Sequence, residues 1–329
     1  VIKRADQVIF FGDDAIASAQ GFDVECHIRP LSRTAPVESA YEVAKAAFGV
    51  ETLRVSYRTF GQVLANLINR EFYQGRIVFE PTADEFDGKR SHSIEIITEG
   101  AKASTTASGA TESPEAEVRR VVDLVLNHAL WYPEQSLFVA SASVVHAERI
   151  RTALAKELKA KPDLATFFDA HGREKFEVVS ISELAHRVAD RIIFSVGFGL
   201  NPGGSVRNDF GLLSHSEGRR FLTNTLVSAR RQITVVSCMS AASIPVDVAD
   251  GARLLRTLLE SAEDGGYTRG ELAADSLLGD LASRLRRLGA RVDTGFAERL
   301  PLVVAYANTK AVVMPDSALL GSNLTEKFR

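Results

Sequence analysis

Ser136-Leu137-Phe138-Val139-Ala140, the helical pattern Val144 to Leu158, and the runs Phe176 to Ser180 and Arg191 to Val196 form the stretch that decides the fold. Short β-rich apolar runs alternate here with an amphipathic helical pattern, the signature of a parallel sheet covered by helices. The same alternation extends in both directions. Upstream lie a strand at Ser93 to Thr98 and helices at Glu115 to Leu130, Phe60 to Tyr73 and Val37 to Phe48. The Phe60 to Tyr73 helix carries Val63, Leu64, Leu67 and Ile68 on one stripe. Leu53-Arg54-Val55 reads as a short strand, and Gln7-Val8-Ile9-Phe10-Phe11 as a buried strand running into a turn at Gly12-Asp13-Asp14. Downstream, helix Glu217 to Arg230 and strand Gln232 to Ser237 close the region. Alternation over about 240 residues predicts an α/β fold with a doubly wound, mostly parallel sheet of roughly six or seven strands.

Two stretches break the pattern. Lys102 to Ser113 is small and polar and reads as a loop. Leu200 to Ser216, with Asn201-Pro202-Gly203-Gly204, is a long irregular connection of the kind that often carries function. After Ser243-Ile244-Pro245 the character changes. Val248 to Glu263 is a helix, Asp264-Gly265-Gly266 a linker, and Gly270 to Leu288 a helix that opens a smaller unit. Short strands follow near Ala290 to Val292, Leu302 to Val304 and Ala311 to Val313. The boundary falls near 265.

Composition narrows the function classes. With 329 residues, 45% apolar and 25% charged, the chain has an ordinary globular balance and suggests two domains. No run approaches 18 apolar residues, so no spanning helix is expected. Two cysteines, Cys26 and Cys238, fit free thiols in a reducing cytoplasm. A net charge of -3 gives no global attraction to nucleic acid, so any polyanion site has to be a local groove. The opening Val1-Ile2-Lys3-Arg4 has neither a signal peptide's apolar stretch nor a methionine, and is expected to be internal to a longer polypeptide.

The common chemical motifs are missing. There is no G-x-x-x-x-G-K-[ST] loop and no G-x-S-x-G turn. Gly197-Phe198-Gly199 with Gly203 is a poor dinucleotide fingerprint and reads as a turn. Seven scattered histidines and an isolated Cys26-His27 predict no metal site. Asp13-Asp14 and Asp84-Glu85 sit in turns, where carboxylates cap or face solvent more often than they catalyse.

Taken in order, segments of the first 245 or so residues resemble the second motor domain of a superfamily 1 helicase, in the branch that includes the nonsense-mediated-decay helicases. Val8 to Asp14 resembles the strand and Gly-Asp turn of motif III, and Leu53 to Thr59 (L-R-V-S-Y-R-T) the L-x-x-x-Y-R-S element. Phe72 to Ile77 is similar to F-Y-x-G-x-L, and Glu115 to Leu158 to the E-A-x-x-V-V helix, strand and helix. Ile181 to Gly199 resembles motif V with its D-x-I-I-x-S-V-G-Y-G tail, Asn208 to Leu213 resembles N-F-G-P-L, and Glu217 to Ser237 motif VI. The resemblance implies a RecA-like domain over 36–264, preceded at 1–35 by the end of a first motor domain. It also implies ATP held between two such domains, the second supplying arginines to the γ-phosphate.

By that resemblance, Arg58, Arg230 and Asp13 are the nucleotide-binding candidates, and Tyr57, Asn208 and Arg219 the nucleic-acid-binding candidates. The family's other catalytic positions are replaced. Its motif III Gln falls at Ile16, the Q-G-x-E of motif V reads Ala185-His186-Arg187-Val188, and T-R-A-R reads Val227-Ser228-Ala229-Arg230. Serine at 228 has neither the charge nor the reach of an arginine finger, which is worth roughly 10³ to 10⁵ in turnover.

Residues 265–329 resemble part of a very-short-patch-repair endonuclease, a small restriction-endonuclease-like α/β module. Gly279 stands for its Glu and Pro301 for its Asp, leaving Asp316 alone. One carboxylate does not hold Mg²⁺.

The implied function is therefore a catalytically degenerate nucleic-acid-binding or scaffolding module, with single-stranded DNA the expected nucleic acid and no membrane partner. Its enzyme status is open: helicase and ATPase by resemblance, inactive as this chain alone. No cofactor is expected in this chain, with ATP and Mg²⁺ belonging to the full-length protein. The alternative is the C-terminal half of an active ATP-dependent DNA helicase whose phosphate loop lies upstream of Val1. A third reading is a regulator that binds ATP without hydrolysing it. Leu200 to Ser216 and the neighbourhood of Tyr57 are expected to flank any groove.

Overall fold

The computed structural model describes residues 7–16, 40–56, 61–79, 91–100, 112–169, 174–185, 187–206, 208–261, 277–296 and 300–313. In chain order the strands are β1 (Val55–Ser56), β2 (Val78–Phe79), β3 (His92–Ile96), β4 (Leu137–Ser141), β5 (Glu177–Ser180), β6 (Ala189–Ser195), β7 (Ala229–Ser237), β8 (Arg291–Phe296), β9 (Leu300–Tyr306) and β10 (Thr309–Val313). The helices are α1 (Ala40–Ala47), α2 (Gln62–Tyr73), α3 (Glu115–Trp131), α4 (Val144–Leu158), α5 (Ala165–Phe168), α6 (Gly218–Val227), α7 (Asp250–Glu260) and α8 (Leu277–Arg287).

Five strands form one parallel sheet in the order β3-β7-β6-β4-β5. Side chains on a strand alternate between faces, and each face here has its own core. Phe138, Ala140, Ile192, Phe194, Ile233 and Val235 pack with α2, α6 and α7. Leu137, Val139, Ile193 and Val236 pack with α3 and α4. Burial on both faces explains why these strands read as unbroken apolar runs. Helix α3 supplies Val118, Val121, Val122, Val125 and Leu126 at helical spacing. Helix α4 starts where the Ser143 side chain accepts the His146 amide. Helices α6 and α7 meet at glycines: a Cβ on Gly218 or Gly251 would lie 2.4 or 2.5 Å from the Leu213 carbonyl oxygen.

The chain leaves β4 through α4 toward β5 on one side, and leaves β6 through α6 toward β7 on the other. The two connections diverge between β4 and β6, the switch point of a doubly wound sheet. Separately, β10, β9 and β8 form a three-stranded antiparallel sheet with α8 just before it, the small α/β unit the sequence predicts.

Three expectations need correction. Gln7 to Phe11 is not a buried strand: it has no strand partner among the described residues, and Ile9 and Phe11 are 66% and 82% exposed. An apolar run becomes a buried strand only where a neighbour takes up its backbone hydrogen bonds. The main sheet has five strands among the described residues rather than six or seven, because β1 and β2, two residues each, pair only with one another. Leu200 to Ser216 is not wholly irregular, since Gly211–Ser214 makes a 3₁₀ turn. The boundary near 265 falls on residues 262–276, outside the described residues.

Candidate functional site

Of the sequence-derived candidates, Arg58 and Tyr57 lie outside the described residues. Arg230 is the second residue of β7, at the N-terminal edge of the sheet, and its donors are taken. Its Nε lies 3.2 Å from Asp190 and its Nη1 2.7 Å from Glu174, which also accepts from Nη2. Ser136 completes the cluster, its amide donating to Asp190 at 3.0 Å and its hydroxyl to Glu174 at 2.8 Å. The hydrogen bond from Arg230 holds the Glu174 carboxyl below the usual range. For Asp190, burial works against ionisation and is outweighed by the Ser136 amide and Arg230. This cluster ties the starts of β4, β6 and β7 together.

Asp13 borders a cavity of about 1010 Å³ whose lining includes Phe11, Lys45, Tyr73, Arg76 and Val227. Both its carboxylate oxygens are in use, one accepting the Ala15 amide at 2.9 Å and the other the Tyr73 hydroxyl at 2.6 Å. Ser228, at the arginine-finger position, is 2% exposed, and its hydroxyl donates to the Asn224 carbonyl at 2.6 Å. Arg219 donates to the Glu71 carbonyl at 2.7 Å and stacks 4.7 Å over the Phe72 ring. Asn208 is exposed in the connection after β6. The structure thus brings Asp13 to the cavity and scatters Arg230, Arg219 and Asn208. Gly279 lies in α8 and Pro301 in β9, while Asp316 is outside the described residues.

Among the described residues, those nearest the expected nucleotide positions are already engaged: both Asp13 oxygens accept, Arg230 is paired, and the Ser228 hydroxyl turns back on its own helix. The polar lining of the cavity includes the carboxylates Asp13 and Asp14 together with Lys45 and Arg76. Among the described residues no group of three or more His, Cys, Asp or Glu side chains converges as a metal site.

Sequence reasoning missed a second polar cluster, at the C-terminal edge of the sheet and at its switch point. Glu117, in the first turn of α3, is fully buried. Its Oε1 accepts the hydroxyl of Ser195, the last residue of β6, at 2.6 Å and the amide of Gly197, two residues on, at 2.7 Å. Ser195 also meets His146 Nε2 at 2.8 Å, and His146 Nδ1 meets the Ser113 hydroxyl at 2.8 Å. Arg149 Nη1 lies 3.0 Å from that hydroxyl and also binds the Ser113 carbonyl.

The two ends set the direction of every bond. Arginine only donates and the carboxylate oxygen accepts, so Arg149 donates to Ser113, Ser113 to His146 Nδ1, His146 Nε2–H to Ser195, and Ser195 to Glu117. That order requires a neutral histidine. Burial, followed by the Arg149 charge, indeed holds His146 down to about 3. Burial pushes the Glu117 carboxyl up to about 7 against the lowering effect of Ser195 and Gly197. Burial and the Glu117 charge also push the Cys238 thiol up.

The legible signal was Glu117 itself. It shares the buried stripe of Val121 and Val125, four and eight residues on, where an acid has no place unless it is partnered.

No family model matches the chain, and no curated protein matches it. Among solved structures, the C-terminal domain of a possible DNA helicase from Lactobacillus plantarum WCFS1 is similar at 12% identity, covering 62% of this chain and 97% of that one, with a TM-score of 0.33. At that score and identity the likeness decides nothing about this chain's chemistry.

Proposed function

We propose that this chain is a helicase-derived module that binds single-stranded nucleic acid or scaffolds a partner, and that its motor half does not support ATP hydrolysis. The observation that carries the reading is Ser228. Where the resemblance places a finger arginine, a buried hydroxyl closes onto Asn224, and the nearest candidate to replace it, Arg230, is held by Glu174 and Asp190. Ser228 caps the end of α6 and Arg230 already lies in β7, so an arginine two positions on does not inherit the finger's direction. The degenerate motif V and motif III positions support the same reading. A second reading, an active helicase half completed by an upstream phosphate loop, rests on Arg58 in L-R-V-S-Y-R-T.

Binding is tested by fluorescence anisotropy of a labelled oligo-dT strand against increasing salt. The proposal expects binding at low salt that weakens log-linearly as salt rises, the mark of phosphate contacts. No binding at low salt leaves only the scaffold form of the reading.

A further inference from the structure

The switch point between β4 and β6 is where a doubly wound sheet offers a crevice to a ligand. Here that crevice is packed with the chain's own polar side chains. Glu117, His146, Ser195 and Ser141 are all completely buried, and Ser113 and Ser143 nearly so. The cluster gathers three separate pieces of chain: the approach to α3 with its first turn (Glu112, Ser113, Glu117), the β4–α4 corner and the β6 exit. Ser113 donates its amide to the Gly197 carbonyl at 2.8 Å, and Ser143, the cap of α4, donates its hydroxyl to Glu112. Gly197 has φ +77°, and a Cβ there would lie 3.0 Å from both the His146 Cβ and the Ser141 hydroxyl. The turn that begins the Leu200 to Ser216 connection is therefore seated directly on this cluster, and its amide is fixed by one carboxylate oxygen.

We propose that Glu117 is a protonation-dependent latch: with its carboxyl neutral it holds the Gly197 turn closed, and its ionisation releases that turn and the connection that follows. The other Glu117 oxygen, Oε2, is buried with no hydrogen bond of normal geometry among the described residues, and the nearby Cys238 thiol and amide offset only part of the cost of a full negative charge there. The groups that face it are few. His146 contributes Nε2 at 3.7 Å from Oε1 and is neutral, and Arg149 reaches it only through Ser113 and His146 while pairing with Glu115. From the end of β7 comes the Cys238 thiol, itself pushed toward the neutral form, and β6 offers only Ser195 and the Gly197 amide. Glu112 is occupied by Ser143. No cation stands against the carboxylate among the described residues, so the charge is relieved by proton uptake or by opening.

The consequence for ligand binding rests on the nucleic-acid reading above. Releasing the turn and adding a negative charge beneath the crevice both disfavour a phosphate backbone, so the neutral form is the binding-competent one. A latch that is closed in only a tenth of the molecules weakens apparent affinity about tenfold.

The test uses the whole chain and its Glu117→Gln variant, which keeps the carbonyl acceptor for Ser195 and Gly197 and cannot ionise. Amide hydrogen exchange, corrected for the intrinsic pH dependence of exchange, is followed between pH 6 and pH 8 at Gly197 and through 198–216. The expected result is loss of protection in the wild type as pH rises and constant protection in E117Q. Equal loss in both proteins, or none in the wild type, overturns the latch. Oligo-dT anisotropy at fixed ionic strength is expected to show affinity about tenfold lower at pH 8 than at pH 6 in the wild type and flat in E117Q. A pH dependence that persists in E117Q assigns it to another group and overturns the coupling. If oligo-dT fails to bind at either pH while the exchange pattern holds, the latch stands and the nucleic-acid reading falls.

Discussion

Glu117 Oε1 and Ser195 Oγ lie 2.6 Å apart with both side chains completely buried, and this contact joins the first turn of α3 to the end of the central strand β6. The contact puts an acid in the core and gives stability an unusual pH dependence. The native carboxyl titrates near 7 and the unfolded one near 4.5, so its contribution is complete below pH 4.5 and is lost as pH rises through 7. His146 acts oppositely. Native near 3 and unfolded near 6.5, it contributes fully above pH 6.5 and loses that contribution as pH falls toward 3. Each slope is at most about 1.4 kcal/mol per pH unit, so the two oppose each other between pH 4.5 and 6.5. Urea unfolding across that range is expected to be nearly flat for the wild type and to rise with pH for Glu117→Gln. The stability difference between the two proteins is expected to change by on the order of 3 kcal/mol from pH 4.5 to 7, and a constant difference contradicts the assignment.

Gly197 carries a separate expectation. Its left-handed backbone and the close approach of His146 and Ser141 leave no place for a methyl group. Gly197→Ala is expected to cost about 1–2 kcal/mol from the backbone conformation alone, and more from the contacts. Thermal melts read this directly, and an unchanged Tm would show that the turn is not held as described.

Asn224 in α6 is 1% exposed, and neither its side-chain nitrogen nor its side-chain oxygen has a hydrogen-bond partner. A buried unpaired amide costs about 1–3 kcal/mol, and leucine has the same branched outline, with a larger volume, and a better helix propensity. Asn224→Leu is expected to stabilise the protein by an amount of that order in urea unfolding. Destabilisation would mean that the amide has a partner.

Much of the fold was legible because burial on both faces writes continuous apolar runs. Helix Val144 to Leu158 and strands β4 to β7 stand within a few residues of where the pattern predicts them. Gln7 to Phe11 departs from its pattern because strand propensity is local while strand pairing is not, and no neighbour among the described residues pairs with it. The site was less legible. Arg230 reads as a free cation in V-S-A-R, yet its partners Glu174 and Asp190 are 56 and 40 residues away in sequence. The Glu117 cluster was hidden for the same reason: Ser113, His146 and Ser195 converge only once β4 and β6 lie side by side. The two serines and the histidine carry no spacing that marks them.

The proposal that this chain does not hydrolyse ATP is tested by measuring phosphate release with and without single-stranded DNA, using the wild-type protein and the Arg58→Ala and Arg230→Ala variants. No DNA-stimulated release above background and no effect of either substitution are expected. Clear DNA-stimulated turnover that disappears in Arg58→Ala or Arg230→Ala would contradict it.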